Sequence, residues 1–430
     1  MSTDVQPAGT IGVIGAGTMG AGIAQLAARS GAHTILHDPL PEALERGTQY
    51  AHDGLAKEAA KGRLSAEQAD AAAARIEPVA DLEAFAPCEL VIEAAPERLA
   101  LKHELYARLS EEIVGEQCVL ATNTSSLLVT AIAASATRPQ RVVGMHFFNP
   151  APVMKLLEVI AGVESSERAL ALAVATGEAM SKTVIVAKDG PGFIVNRCNR
   201  PFGLEALRLL QERIADIETI DRTMRIEGGF RMGPFELMDL VGIDTGLEIS
   251  KSFYEQSFGE PRWRPSPIAA RYVAAGLHGR KTGRGYYDYS RDPYRPPDPD
   301  PNPDPGPDPG PNPGPDPPTR GEADVRPAAG GVLERIVCQV INECAFALGE
   351  GVGSAEDIDT GMVLGLNYPR GPLAWADEIG LDRVLTVLDG LWEEYREERY
   401  RPAPALRSLV LAGRLGRASG AGFLPYAVLP

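Results

Sequence analysis

The sequence has no excess of positive charge. Its 430 residues carry 58 acidic against 42 basic side chains, a formal net charge of −16. That balance argues against a general binder of nucleic acid or of a membrane surface, since both are polyanions. It leaves room for a phosphorylated ligand, which needs only a local cluster of cations. No stretch approaches the ~18 uncharged apolar residues of a membrane span. Met1–Gln6 shows neither a basic segment nor a long apolar run, so no export signal is expected. Cysteine is scarce: Cys88, Cys118, Cys198, Cys338 and Cys344 are scattered, odd in number and never in a C-x-x-C pair. They read as reduced thiols of a cytoplasmic protein, packed as small hydrophobes, with no disulfide frame and no metal site.

The rest of the composition, 44% hydrophobic and 23% charged, is that of a globular protein long enough for about three domains. One boundary is plain. From Pro296 to Pro318 proline falls at nearly every second position among Asp, Asn and Gly. Proline lacks the amide donor and disfavours helix in the residue before it, so this stretch is no core element. It reads as a semi-rigid spacer of up to roughly 70 Å at ~3.1 Å per residue, solvated by its aspartates and without the aromatic or basic anchors of a recognition ligand.

Before the spacer, residues 10 to 188 alternate apolar runs (Ile11–Ile14, Thr34–Leu36, Leu90–Ile92, Val119–Ala121, Arg141–Met145) with Ala/Glu/Leu-rich helical stretches. Such alternation predicts a parallel sheet with right-handed crossovers. After Gly192 the apolar spacing turns helical, and the flanks of the spacer repeat one another. Gly233-Pro234-Phe235-Glu236-Leu237-Met238-Asp239 aligns with Gly371-Pro372-Leu373-Ala374-Trp375-Ala376-Asp377; Glu205 matches Glu343 at the same offset; Gly279–Tyr286 matches Gly416–Phe423 one residue slipped. Held register over that distance predicts a duplicated unit. The expected organisation is an α/β Rossmann-type dinucleotide-binding domain over 1–188, an all-α domain over 189–290, a proline-rich linker over 291–326 and a second, homologous all-α domain over 327–430.

Gly15-Ala16-Gly17-Thr18-Met19-Gly20 follows the first apolar run and opens a helix. In that setting Gly15 permits a tight turn, Gly17 lets backbone approach a pyrophosphate, and Gly20 allows close packing of helix on strand. The helix N-terminus, with Thr18 and Met19, turns free N–H groups toward the phosphates. Asp38 ends the second strand; a carboxylate there suits ribose hydroxyls and repels a 2′-phosphate, which predicts NAD rather than NADP.

In the stretch Val142–Ile160 two β-prone runs flank a turn with Pro150 and Pro152. Folding there can bring His146 and Glu158 together. An imidazole titrates near neutrality and can take an alcohol proton, while a carboxylate on its second nitrogen fixes the tautomer. On the residues alone, a structural histidine is as good a reading as a catalytic one.

Longer strings add to this. Val91-Ile92-Glu93-Ala94-Ala95-Pro96-Glu97-Arg98, Ala121-Thr122-Asn123-Thr124-Ser125-Ser126, Gly144-Met145-His146-Phe147-Phe148-Asn149-Pro150, Asp189–Arg197, Gly233–Glu236 and Gly279–Tyr289 stand in order, and by them the chain resembles the L-3-hydroxyacyl-CoA dehydrogenase family over nearly all of its length outside the spacer. The resemblance implies that His146 is the general base with Glu158 as its partner, and that Ser125 and Asn196 hold the 3-oxygen of an acyl-CoA substrate. It also implies that Glu97, Lys102, Ser125, Asn149 and Lys281 contact NAD, and that Lys61 reaches the coenzyme A phosphates. Gly54 stands where some members have a contacting serine. The second helical copy has Ala418 at the place of Lys281 and lacks the Asp189–Arg197 motif. It is expected to pack where relatives place a dimer partner, giving a monomer with an internal pseudo-dimer or else a homodimer. Rival readings are a related sugar-acid dehydrogenase and an inactive acyl-CoA-binding protein. The intact Ser125, His146, Glu158 and Asn196 favour the enzyme, which is expected to serve β-oxidation of the fatty-acid or phenylacetate type.

Overall fold

In the computed structural model, residues 5–290 and 331–426 are described, and the proline-rich stretch Pro296–Pro318 lies outside them. Eight strands form one sheet in the order β3-β2-β1-β4-β5-β6-β7-β8: β1 Thr10–Ile14, β2 His33–His37, β3 Ile76–Val79, β4 Leu90–Glu93, β5 Val119–Thr122, β6 Val142–Phe147, β7 Leu156–Ala161 and β8 Thr183–Lys188. Every neighbouring pair is parallel except β6 and β7. Ile11, Val13, Leu36, Leu90, Ile92, Val119 and Val143 are all buried. Their continuous apolar runs fit strands covered on both faces by crossover helices. The order reverses between β1 and β4, which opens a crevice at the carboxyl ends of the strands, where ligands of such sheets bind.

The expected parallel α/β half is present. Three strands go beyond the five apolar runs. β7 is the second arm of the His146–Glu158 bend. β8 and β3 are the two edges of the sheet, and β3 contains Pro78, tolerated at an edge because a central ladder bond is not required of it.

Compactness groups the described residues into two units. One holds those up to Cys198 together with Phe346–Leu373; the other holds those from Asn199 to Ala345 and from Ala374 onward. The division follows packing rather than sequence order, so one stretch of the late helices joins the sheet.

The second unit is helical, and its interior carries charge. Glu205, on the Arg200–Gln211 helix, and Arg335, on the Val332–Gly349 helix, are fully buried and pair at 2.5 Å. Tyr400 donates to the same carboxylate at 2.9 Å, while Glu343 takes Arg262 at 2.9 Å. Burial alone would push the Glu205 carboxyl up, but the guanidinium groups of Arg208 and Arg335 hold it below its ordinary range. Two loops of this unit share one construction. Asp239 accepts from the N–H groups of Tyr286 and Tyr287, both at 2.9 Å, and from the Tyr289 hydroxyl at 3.0 Å. Asp377 accepts from Phe423 N, Leu424 N and the Tyr426 hydroxyl, all at 3.0 Å. Gly279 and Gly416 have φ of 96° and 108°, and a Cβ at either would stand 2.3 Å from the carbonyl oxygen of Asp239 or Asp377.

Candidate active site

The glycine turn is built as its spacing predicts. β1 ends at Ile14 and helix α1, Thr18–Arg29, follows after three residues. Gly15 has φ +95°, and a Cβ there would lie 2.6 Å from the Ala94 carbonyl oxygen beyond β4. A Cβ on Gly20 would overlap the Gly15 carbonyl oxygen at 1.7 Å. Gly17 differs, since a Cβ there would meet no described atom within 4 Å. Protein packing therefore does not demand glycine at 17, whereas close approach of a ligand's phosphates would. Asp38 accepts from Ala16 N at 2.9 Å with one carboxylate oxygen and from Leu40 N at 3.0 Å with the other, which ties the end of β2 to the turn. Beside it a cavity of about 240 Å³ is bounded by Gly17, Thr18, Arg46 and Tyr50. These residues fit a dinucleotide.

On the other flank of the crevice, beyond β4, Glu97 gathers the loop that follows β5. One of its oxygens accepts from the Thr124 hydroxyl (2.5 Å), the Ser125 and Ser126 N–H groups (both 3.0 Å) and the Ser126 hydroxyl (2.9 Å). Burial pushes the Glu97 carboxyl up, but the Thr124 hydrogen bond, the Lys102 charge and the Ser126 bonds outweigh it and hold the group below its ordinary range. Lys102 is only 1% exposed, donating to Glu93 at 2.6 Å with Glu97 at 3.4 Å. Its ammonium is taken up by carboxylates.

The dyad forms across the antiparallel pair. His146 on β6 stands opposite Glu158 on β7, and His146 Nδ1 lies 2.7 Å from Glu158 Oε2. Glu158 is fully buried and His146 nearly so. The other Glu158 oxygen accepts from Ile194 N (3.1 Å) and Val195 N (3.0 Å). With both oxygens occupied, the carboxylate is fixed in place and suited to an Nδ1–H donor, which leaves Nε2 as the acceptor. Phe148 and Phe193 flank the imidazole at ring-centroid distances of 4.7 and 5.7 Å. Asn196 follows Val195 directly, on the short Val195–Cys198 helix. Ser125 is exposed in the loop after β5, and Asn149 is exposed just past β6. His146, Glu158, Ser125 and Asn196 thus belong to one compact unit, together with the glycine turn. Lys281 belongs to the other unit, where it pairs with Asp244 at 2.6 Å.

Lys61 is exposed at the C-cap of helix α2, Pro41–Ala60. Gly54, on the same helix, packs against the Gln25 amide: a Cβ there would stand 2.2 Å from Gln25 Oε1 and would displace that side chain, which donates to buried Glu58 at 3.1 Å.

Three supporting residues have no counterpart among the sequence-based candidates. Lys182, nearly buried, donates to the carbonyl oxygens of Ala151 (2.5 Å) and Met154 (2.6 Å), pinning the bend between the arms of the dyad. Burial and the nearby Arg29 charge push its ammonium down to about 8. Asn123 accepts from Phe147 N at 2.8 Å, and Asp189 accepts from Val129 N and Thr130 N at 3.0 and 2.7 Å. Asn123 and Asp189 lie inside the strings that carry the family resemblance, which marks them without assigning a role. Nothing local marks Lys182. Among the described residues no cluster of His, Cys, Asp and Glu could hold a metal ion, and no helix is long and apolar enough to cross a membrane.

A glycine turn for a dinucleotide and a buried imidazole–carboxylate pair, both at one edge of a mostly parallel sheet, define an NAD-linked oxidoreductase. The family description "3-hydroxyacyl-CoA dehydrogenase, NAD binding domain" matches residues 10–190, and "3-hydroxyacyl-CoA dehydrogenase, C-terminal domain" matches 192–289 and again 330–426. The chain belongs to the 3-hydroxyacyl-CoA dehydrogenase family. It is 37% identical over 465 aligned positions to the 3-hydroxyadipyl-CoA dehydrogenase of Escherichia coli K12, covering 94% of this chain and 97% of that one. A probable 3-hydroxybutyryl-CoA dehydrogenase of Deinococcus radiodurans is 41% identical over 278 positions, 65% of this chain and 99% of its own. Among solved structures, the 3-hydroxybutyryl-CoA dehydrogenase of E. coli K12 aligns with a TM-score of 0.84 at 34% identity, covering 95% of this chain and 99% of that one.

Proposed function

We propose that the chain oxidises short L-3-hydroxyacyl-CoA thioesters, of the 3-hydroxybutyryl or 3-hydroxyadipyl class, to 3-oxoacyl-CoA. The observation that carries this is the buried 2.7 Å contact between His146 and Glu158 at the carboxyl end of β6. Nε2 of His146 accepts the proton of the 3-hydroxyl, and Glu158 stabilises the imidazolium that results. Bound NAD supplies the hydride acceptor for C3, so that the alcohol leaves as a ketone with one proton on His146. Ser125 and Asn196 hold the 3-oxygen as it becomes a carbonyl. Glu97 and Asn149 serve the cofactor. Lys102, already engaged by two carboxylates, serves it by fixing Glu97. Lys61 meets the coenzyme A phosphates, and without a serine at 54 that end of the thioester relies on charge more than on a hydroxyl contact.

Acetoacetyl-CoA and NADH, mixed with the protein, test this directly. The expected result is loss of NADH absorbance. Binding without turnover favours an acyl-CoA-binding protein, and turnover only of a free sugar acid favours the other dehydrogenase. A kcat/KM series from four-carbon thioesters to one ending in a carboxylate assigns the class, and with it a place in fatty-acid or aromatic-acid breakdown.

We further infer that the two stretches matched to the C-terminal domain are duplicates, and that the later one takes a dimer partner's place within the same chain. The support is reciprocal contact. Glu205 of the first stretch is bonded by Arg335 and Tyr400 of the second, and Glu343 of the second by Arg262 of the first. Such exchange of matched positions is how a two-fold interface is built. Light scattering should give the mass of a single chain; a dimer would count against it.

A further inference from the structure

Glu158 is held from behind by the N–H groups of Ile194 and Val195, so the dyad is only as fixed as those two residues. Both side chains are fully buried. What covers them comes from the second match to the C-terminal domain, through the Ala355–Leu366 helix and the turn before it. A Cβ on Gly361 would stand 3.0 Å from Val195 Cγ2 and 2.9 Å from Ile185 Cδ1. One on Gly365 would stand 3.1 Å from Val195 Cγ1 and 3.4 Å from Cε1 of Phe148, the ring that packs on His146. One on Gly353 would reach Ile194 Cδ1 at 2.5 Å. The segment is tied down independently, since Lys188 N donates to Val352 O at 2.8 Å and Arg197 pairs with Glu350 at 2.7 Å.

We propose that the Ala355–Leu366 helix is a positioning element for the His146–Glu158 dyad, touching Val195 through Gly361 and Gly365. This rests on the reading of that dyad as the proton-transfer pair. The late helical stretch would then act on the chemistry of the sheet unit as well as on assembly. Val195 is β-branched and stiff, and in a close-packed interior a push on its methyls passes to its backbone. Moving its amide by roughly 0.5 Å stretches a 3.0 Å hydrogen bond to the limit of usefulness. Glu158 is then free to turn, and His146 loses the acceptor that sets its tautomer.

The test uses the full chain as Gly361→Ala, Gly361→Val, and Gly361→Ala combined with Val195→Ala, which returns the space on the Val195 side and leaves the contact with Ile185. Four quantities are read: kcat and KM for acetoacetyl-CoA reduction, the Kd of NADH, Tm, and the Nδ1–H resonance of His146 by NMR on histidine-labelled protein. In Gly361→Ala kcat is expected to fall about tenfold, and in Gly361→Val about a hundredfold, as small misplacements of reacting groups do. KM and the NADH Kd should stay within about twofold, because uniform binding is untouched. The Nδ1–H resonance should move in step with kcat, and the Val195→Ala combination should recover most of the loss. A lowered Tm with kcat and the resonance unchanged would overturn the proposal and leave the helix a mere packing element. If Gly361→Val does not fold, the alanine variant decides alone. If the parent chain shows no turnover, the proposed function has failed, and the resonance by itself decides this proposal: moved in Gly361→Ala it stands, unmoved it falls.

Discussion

His146→Ala should lower kcat for acetoacetyl-CoA reduction by about 10³-fold or more, and Glu158→Gln should do as much, both with NADH affinity nearly unchanged. Alanine removes the group that carries the proton. Glutamine keeps the shape and breaks the logic. At position 158 one oxygen faces two N–H donors, Ile194 and Val195, and the other faces His146 Nδ1. A glutamine must present its carbonyl to the pair of donors, since an NH₂ there would leave two buried N–H groups opposed by a third donor. Its NH₂ then points at Nδ1, which becomes an acceptor and forces the proton onto Nε2. In oxidation that tautomer has no lone pair for the substrate hydroxyl, and in reduction the imidazolium that must give its Nε2 proton to the ketone has lost the carboxylate that stabilises it. The two losses should not add, because both variants disable one unit, and the double variant should be no worse than the worse single one. Steady-state kinetics on all three, with NADH titrations as control, give the answer. Full activity in Glu158→Gln would remove the carboxylate from the mechanism.

What could be read from the residues depended on how local the causes are. The glycine turn is a short-range object, with strand, three glycines and helix inside twenty residues, and the structure adds only the atomic reasons for Gly15 and Gly20. The His146–Glu158 pair was legible as a bend between two β-prone runs, because a hairpin register is decided by a dozen residues. Less could be read where a distant neighbour decides. Lys102 looks like a surface lysine until Glu93 and Glu97 fold around it. Lys182 lies in the connection between a helix and β8, and only the tertiary fold brings it to the carbonyls of Ala151 and Met154. The joining of Phe346–Leu373 to the sheet unit is likewise invisible in a pattern that simply reads helix after helix. β3 was hidden for another reason: four residues with a proline resemble a turn, and only the ladder with β2 makes them a strand.

Gly20→Val should abolish measurable NADH binding and destabilise the sheet unit, whereas Gly17→Ala should weaken NADH binding and leave Tm alone. The contrast follows from what each new methyl meets. At position 20 a Cβ would fall 1.7 Å from the Gly15 carbonyl oxygen, a backbone atom that cannot rotate away. Gly15 cannot retreat either, since its positive φ and its closeness to Ala94 O hold the turn between β1 and β4. Relief must come from parting α1 and β1, an overpacking cost of about 1–3 kcal/mol or more, and it carries the helix N-terminus and its free N–H groups away from the phosphates they serve. At position 17 the added carbon meets no described protein atom within 4 Å, so the fold should take alanine without loss. Only a bound pyrophosphate would feel it, and tenfold weaker NADH binding or more is expected, equivalent to about 1.4 kcal/mol. Fluorescence titration with NADH and thermal melts of both variants separate the two effects. Undiminished NADH affinity in Gly17→Ala would mean that the phosphates do not pass over this turn, and the cofactor would have to be placed elsewhere along the carboxyl edge of the sheet.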